Sequence, residues 1–397
     1  MKLFNKVPIS KVKKSMFDLS YENKLTCNFG KLYPVFWDET MPGDKIKINT
    51  QALLKLAPMQ FPIMHNVNVH FYSFWVPTRT IFDDFEKFMT GGKDGLETVV
   101  HPTINLLSQD FVAGSLADYL GINSNDATVS GSSAQTASVS SLPFRAYQKI
   151  WNEYFRDQNL IDELLIPTTP GTESGPNYAL LTQMRSVAWE KDYFTASLPW
   201  PQKGQEVLIP MESDFEYANY SQVFRDNNSA INTDTNLGVS AGSVDSVQVG
   251  NVGAFQGAAR IENLASITNA TANIESLRRS IVIQQWLEKL ARGGSRMVEF
   301  VRTMFNTIIP DYRVQRPEFL GSSKQSVMIS EVLATFQNDT WAQGSRAGTG
   351  FSLGQGHGFN KFFPEHGIVM TVMAIKPRSG YFQGINRKWF KLDRFSY

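Results

Sequence analysis

Residues 67–77 read VNVHFYSFWVP. Val67, Val69 and Phe71 alternate with Asn68, His70 and Tyr72, the period of two that sends successive side chains to opposite faces of a strand. From Phe74 through Val76 the run is apolar on both faces. The expected strand therefore starts half-buried and ends covered on both sides, and Pro77, which has no amide hydrogen to give a ladder, stops it. Upstream, Lys45-Ile46-Lys47-Ile48 repeats the alternation after a turn at Pro42-Gly43-Asp44. Downstream, Thr80 begins a short helix with Asp83 at the capping-box position. Ile81, Phe85 and Phe88 lie on its one side, and Gly91-Gly92 closes it.

The chain has 397 residues, enough to bury a large core without staples. Eight Trp, thirteen Tyr and 28 Phe bring the aromatic share to 12%, whereas Asp, Glu, Lys and Arg reach only 19%, below the roughly 25% of ordinary soluble domains. So many aromatics exclude disorder of the whole chain. A shortage of charge suits a surface buried against copies of itself. The net charge of +1 gives no global attraction to nucleic acid, and the single cysteine, Cys27, excludes a disulfide framework. No apolar h-region marks a signal peptide, and no apolar run approaches the 18 or so residues of a membrane-spanning helix.

Two stretches, 121–141 and 227–259, are built mainly of small and polar residues and cannot form cores of their own. They read as long polar surface loops. A helix is predicted over Leu142–Asn159, with Phe144, Tyr147, Trp151, Tyr154 and Phe155 as an aromatic stripe and Arg145, Lys149, Glu153 and Arg156 on the remaining face. Two more are predicted, over Asn273–Arg292 and Arg296–Thr307. Strand signals return at Ser326–Phe336 and Gly367–Ile375. Short strands separated by long connections that contain helices indicate a mainly β fold of the sandwich or jelly-roll type.

Apparent enzyme signatures lack the context that would give them chemistry. Gly238-Val239-Ser240-Ala241-Gly242 matches G-x-S-x-G, but it lies inside a loop-like stretch rather than on a strand-to-helix turn. Gly354-Gln355-Gly356-His357-Gly358 has the glycine density of an anion loop without its spacing, which leaves a flexible loop or tight packing. His65, His70, His101, His357 and His366 fit no ligand spacing; His357, Glu365 and His366 are the nearest approach to a metal set. Asp83-Asp84 reads as a solvated or interface face. Catalytic residues, metals and cofactors are all expected to be absent. Positive charge is local instead. Lys2, Lys6, Lys11, Lys13 and Lys14 form an acid-free basic arm over residues 1–14. Arg387, Lys388, Lys391 and Arg394 interleave with Trp389, Phe390, Phe395 and Tyr397, a mixture suited to single-stranded nucleic acid and equally to a protein interface. These nine residues are the candidate DNA-phosphate contacts.

Phe17-Asp18-Leu19-Ser20, Gly30-Lys31-Leu32-Tyr33-Pro34, Pro42-Gly43-Asp44 and Leu56-Ala57-Pro58-Met59 follow one another in order. After them come Val76-Pro77-Thr78-Arg79, Leu142-Pro143-Phe144-Arg145-Ala146-Tyr147, Trp151-Asn152-Glu153-Tyr154-Phe155, Tyr193-Phe194-Thr195-Ala196-Ser197 and Arg316-Pro317-Glu318-Phe319-Leu320-Gly321. As a set they closely resemble the major capsid proteins of the small icosahedral single-stranded DNA bacteriophages, the Microviridae, in particular the gokushovirus-like branch. The resemblance implies one capsid domain over 1–397, a single eight-stranded antiparallel jelly roll with helix-bearing loop insertions. It implies sixty copies in a T=1 shell around circular single-stranded DNA, with 227–259, or else 121–141, as the outward insertion. Its partners would be other copies of itself, single-stranded DNA without sequence preference, a small internal DNA-binding or scaffolding phage protein and a host surface receptor, with no membrane insertion. Its place would be the virion capsid, after synthesis in the bacterial host cytoplasm. Members of that family usually continue beyond the position matching Tyr397, so either a C-terminal portion is missing here or the sandwich closes differently. The alternative readings are a host-receptor-binding or adhesion module and a jelly-roll carbohydrate-active enzyme.

Overall fold

The computed structural model describes residues 14–107, 110, 112–122, 137–208, 274–333, 335, 344, 346–356 and 358–397, together with the backbone of short strands between 212 and 271. The arm lysines before Lys14, most of the 121–141 loop and nearly all of 227–259 lie outside the described residues.

Two compact units share the chain, one of residues 1–197 and 295–397, the other of 198–294. The first opens with strands β1 (Leu32–Thr40), β2 (Lys45–Ile48), β3 (Gln51–Lys55) and β4 (Val67–Pro77). Helix α1 (Phe85–Thr90), β5 (Thr103–Leu106), α2 (Leu116–Tyr119), β6 (Ala137–Ser140), α3 (Leu142–Ile150), β7 (Thr172–Glu173) and α4 (Gly175–Thr182) follow. The second unit holds six short strands, β8–β13 (Glu212–Glu216, Val223–Phe224, Leu237–Gly238, Gln248–Val249, Arg260–Ile261 and Ser266–Thr271), and the long helix α5 (Ile274–Gly293). The chain then returns to the first unit with α6 (Met297–Phe305), β14 (Glu318–Leu333), β15 (Arg346–Gln355), β16 (Phe359–Phe362) and β17 (Gly367–Pro377).

The main sheet runs β1-β17-β4-β14-β15-β3, and every neighbouring pair is antiparallel. Its centre is the pair β4 and β17, matched over eleven residues from Val67 opposite Pro377 to Pro77 opposite Gly367. Strand β14 joins two halves of the sheet: Glu318–Val327 pairs with β4, and Met328–Leu333 pairs with β15. The result is a mainly β chain built on a curled antiparallel sheet.

Alternation along β4 and β17 splits the core. Phe74, Val76, Ile368, Met370, Val372 and Ala374 pack on one face against Phe144, Tyr147 and Ile150 of α3. Val67, Val69, Phe71, Met373 and Ile375 form a second cluster with Val327 and the partly buried Leu54. Residues 67–77 therefore differ from expectation at their start, because Asn68 and His70 are buried too. Asn68 survives burial by accepting a hydrogen bond from Ser326 Oγ at 3.2 Å. The Trp75 side chain packs over Gly367 so closely that a Cβ there would lie 2.3 Å from the indole nitrogen. That nitrogen donates to Thr40 Oγ1, which donates in turn to the Gly367 carbonyl.

Helix boundaries moved where local geometry overruled pattern. Thr80 does not cap a helix; its hydroxyl donates to the Pro77 carbonyl and a 3₁₀ turn spans Thr78–Thr80. The helix begins at Phe85, and Gly91, at φ 71°, ends it as expected. The predicted helix 142–159 is α-helical only to Ile150. A π-helical turn, Trp151–Phe155, follows it, closed by Arg156 N–H donating to Trp151 O at 2.9 Å.

Candidate assembly and nucleic-acid surfaces

Of the arm lysines only Lys14 is described, and it is occupied. Its ammonium donates to Gly43 O at 2.6 Å and lies 5.2 Å from the centre of the Phe362 ring. The four tail cations sit on an exposed ribbon of two 3₁₀ turns. Arg387 and Lys388 share the first (Arg387–Phe390), which Asn386 caps by accepting the Lys388 amide. Arg394 opens the second (Arg394–Ser396), capped by Asp393. Lys391 lies 4.8 Å from the Tyr397 ring, and the Arg394 guanidinium 4.7 Å from the Phe395 ring. Cation and ring are thus offered side by side, with Trp389, Phe395 and Tyr397 all exposed. Tyr381 anchors the start of this ribbon by donating to Asp192 Oδ2. The Thr195 amide and that phenol hold the Asp192 carboxyl down at about 2, so the link is ionised across the ordinary pH range.

Several polar groups do structural work that spacing did not reveal. Arg145, off the aromatic stripe of α3, is completely buried. Its guanidinium pairs with Glu173 of β7 and donates to the carbonyls of Ile81 (2.7 Å) and Thr169 (2.6 Å). Asp83 and Asp84, read as a solvated or interface face, are exposed and half-buried respectively, and they take bonds from Thr168 Oγ1 and Lys87 Nζ. Glu365 receives Arg79, and His366 packs against Phe85. His357 and Ser240 lie outside the described residues; among those described, no three His, Cys, Asp or Glu side chains converge to hold a metal. Gly354 and Gly358 are tightly packed, with a Cβ at the latter falling 1.7 Å from Ile48 O.

His70, central in the sheet, stacks on Tyr72 with ring centres 5.7 Å apart. Its Nε2 lies 3.4 Å from Glu190 Oε1 without making a hydrogen bond. Burial first, then Lys376, lowers its pKa, with Glu190 opposing and Lys324 adding to the fall. The fold therefore prefers neutral His70. The resulting stability is present above the unfolded value near 6.5 and is lost as pH falls from there through the lower folded pKa. Urea midpoints should drop on going from pH 7.5 to 5, and the drop should be smaller in His70→Asn; an equal drop in both would exclude this group as its source.

A cavity of about 240 Å³ opens among Tyr154, Phe155, Trp189, Lys191, Arg296 and Lys376. Two of its cations are already compensated. Lys191 pairs with Asp157, and Arg296 donates to Asn152 O and approaches Glu299 and Glu153. Exposed apolar surface is far more extensive. In the second unit, α5 presents Ile281, Val282, Ile283 and Trp286; in the first, Met297 and Phe305 of α6 are exposed. Large exposed apolar patches of this kind mark interaction surfaces.

Residues 5–397 match the family model described as "Capsid protein (F protein)". The chain is 33% identical to Capsid protein VP1 of Bdellovibrio phage phiMH2K, over 99% of its own length and 75% of that protein. It is 30% identical to Capsid protein VP1 of Chlamydia phage 1, over 99% of this chain and 76% of the relative. For Capsid protein VP1 of Spiroplasma virus 4 the identity is 31%, over 98% and 73%.

Proposed function

Because this chain belongs to the phage capsid protein (F protein) family, we propose that its copies close into a T=1 icosahedral shell of sixty subunits that packages circular single-stranded DNA. The chain is a structural major capsid protein of Microviridae type, not an enzyme, and a protein of this kind works by assembling with itself. The observation that carries the reading is identity of 30–33% with three phage capsid proteins over nearly the whole chain. Among the described residues no helix is long and apolar enough to cross a membrane.

The finer reading is a gokushovirus-like shell protein whose residues 1–397 form one eight-stranded jelly roll. Its 227–259 or 121–141 loop projects outward to the host receptor. It is made in the bacterial cytoplasm and meets a small internal DNA-binding or scaffolding protein during assembly. What supports it is the curled antiparallel sheet with long insertions and the exposed apolar area a building block needs. Lys2, Lys6, Lys11, Lys13, Lys14, Arg387, Lys388, Lys391 and Arg394 contact DNA phosphates in this reading, and the tail's rings accept bases by stacking.

Electron microscopy of nuclease-treated protein tests it together with the absorbance spectrum. Closed shells of sixty subunits holding protected nucleic acid are expected, whereas discrete small oligomers would overturn the shell. Replacing Arg387, Lys388, Lys391 and Arg394 together by Ala should lower the log–log salt slope of single-stranded DNA binding by roughly 3, since each lost phosphate contact removes about 0.7. An unchanged slope would remove the tail from the DNA interface.

A further inference from the structure

Among the described residues, one face of the main sheet is covered only halfway. Cross-strand partners share a face, so the register can be followed across all six strands. Ala374 stands opposite His70, and His70 opposite Lys324. Two residues beyond Ser326 on β14, Met328 stands opposite Phe351, and Phe351 opposite Lys55; Leu353 faces Leu53. At the β17 and β4 end, this face is buried under α3. That cover ends at the polar group around His70 and Lys376. Beyond it, on β14, β15 and β3, the same face is open: Leu53 is 75% exposed, Leu353 76% and Met328 65%, and Phe351 and Val332 are nearly half exposed. The reverse face of these strands is closed, with Leu54 and Ile329 packed into the cluster that includes Val69 and Val327.

We propose that this open face of β14, β15 and β3 receives a second copy of the same chain, through that copy's Met16, Phe17 and Leu19; the proposal rests on the reading of the protein as a self-assembling capsid subunit. Those three side chains are 99%, 79% and 72% exposed. Phe17 and Leu19 flank Asp18, a spacing of two that presents both to one surface when the segment docks in extended form. Charge matches as well. Residues 15–23 contain Asp18 and Glu22 and no base, while Lys55 and Lys324 lie on the open face. The segment cannot cover its own sheet there. Lys14 is tied to the Gly43 carbonyl, and Tyr21 and Asn23 donate to the carbonyl of Val35 in β1, the strand at the opposite edge from β3. Leu25 and Cys27, which follow, pack into the cluster on the reverse face, so the sheet itself stands between. The apolar residues of one copy and the open face of another are left to satisfy each other, a head-to-tail contact of the kind that closes into rings and shells.

Two measurements decide it. In a Cys27→Ser background, chains carrying Leu19→Cys are mixed under assembly conditions with chains carrying Leu353→Cys and oxidised. Mixed disulfide dimers should exceed by at least tenfold those from a control pairing Leu19→Cys with Leu96→Cys, an exposed position in the loop after α1, past the other end of β4. Separately, the double variant Leu53→Lys, Leu353→Lys should keep the wild-type thermal midpoint, because both sites are solvated in the subunit, yet lose particles in the electron microscope. Normal particles from the double variant, or cross-linking no better than the control, would overturn the interface while leaving the capsid reading intact. If wild-type protein forms no particles and the Leu19→Cys and Leu353→Cys pair cross-links no better than its control, both readings fail.

Discussion

Arg145→Ala is expected to destabilise the fold by about 3–5 kcal/mol, the range for removing one partner of a buried ion pair. The guanidinium has no contact with solvent and is satisfied from three directions, by the Glu173 carboxylate and by the Ile81 and Thr169 carbonyls. It therefore ties α3 to β7 and to the turn that follows β4. Truncation leaves a buried carboxylate and two carbonyls without donors in a low-dielectric interior, and that loss, rather than the pair's net attraction, sets the size of the effect. Replacing both partners with apolar residues of similar volume, Arg145→Met with Glu173→Met, removes the orphaned charge and should recover most of the loss. Urea denaturation of the dissociated subunit reads both variants. If Arg145→Ala cost less than about 1 kcal/mol, the buried pair would not exist as described.

Phe74→Ala should cost a similar amount, about 3–5 kcal/mol. Phe74 is buried in the middle of β4 with its ring centre 4.6 Å from Tyr154, 5.9 Å from Phe155 and 5.6 Å from Phe319. The nearest of them is itself fixed. Tyr154 donates to Pro317 O at 2.6 Å and has the Arg316 guanidinium over its ring, which keeps it from collapsing into the space left behind. A cavity that stays open carries the full penalty beyond the lost transfer term. Phe74→Leu, which keeps most of the volume, should lose well under half as much. Equal losses for the two variants would show that the aromatic cluster relaxes freely.

The strand at 67–77 was legible because a period of two needs only neighbouring residues, and the same is true of 45–48 and of 367–375. The burial of Asn68 and His70 was not legible, since a polar residue on an alternating strand looks identical whether water or Ser326 satisfies it. Arg145 shows the same limit on a helix. Its partner Glu173 is 28 residues away, and no local pattern distinguishes a cation facing solvent from one facing a distant carboxylate. The α3 helix was read too long because Trp151, Tyr154 and Phe155 continue the apolar stripe, while the switch to a wider turn is a backbone adjustment with no compositional mark. Among the candidate DNA contacts, the cluster at 387–394 could be read from charge and rings alone. The occupation of Lys14 by Gly43 and Phe362 could not.

Composition, periodicity and ordered blocks of residues determined that this chain is mainly β, rich in interaction surface and related to phage capsid proteins, because each of those properties is local or additive along the chain. Only the tertiary structure decided which polar groups are buried and paired, and which apolar faces remain open. Both depend on residues distant in sequence meeting across a sheet: Glu173 reaching Arg145 in one case, and α3 covering half of a face and leaving Leu53 and Leu353 bare in the other.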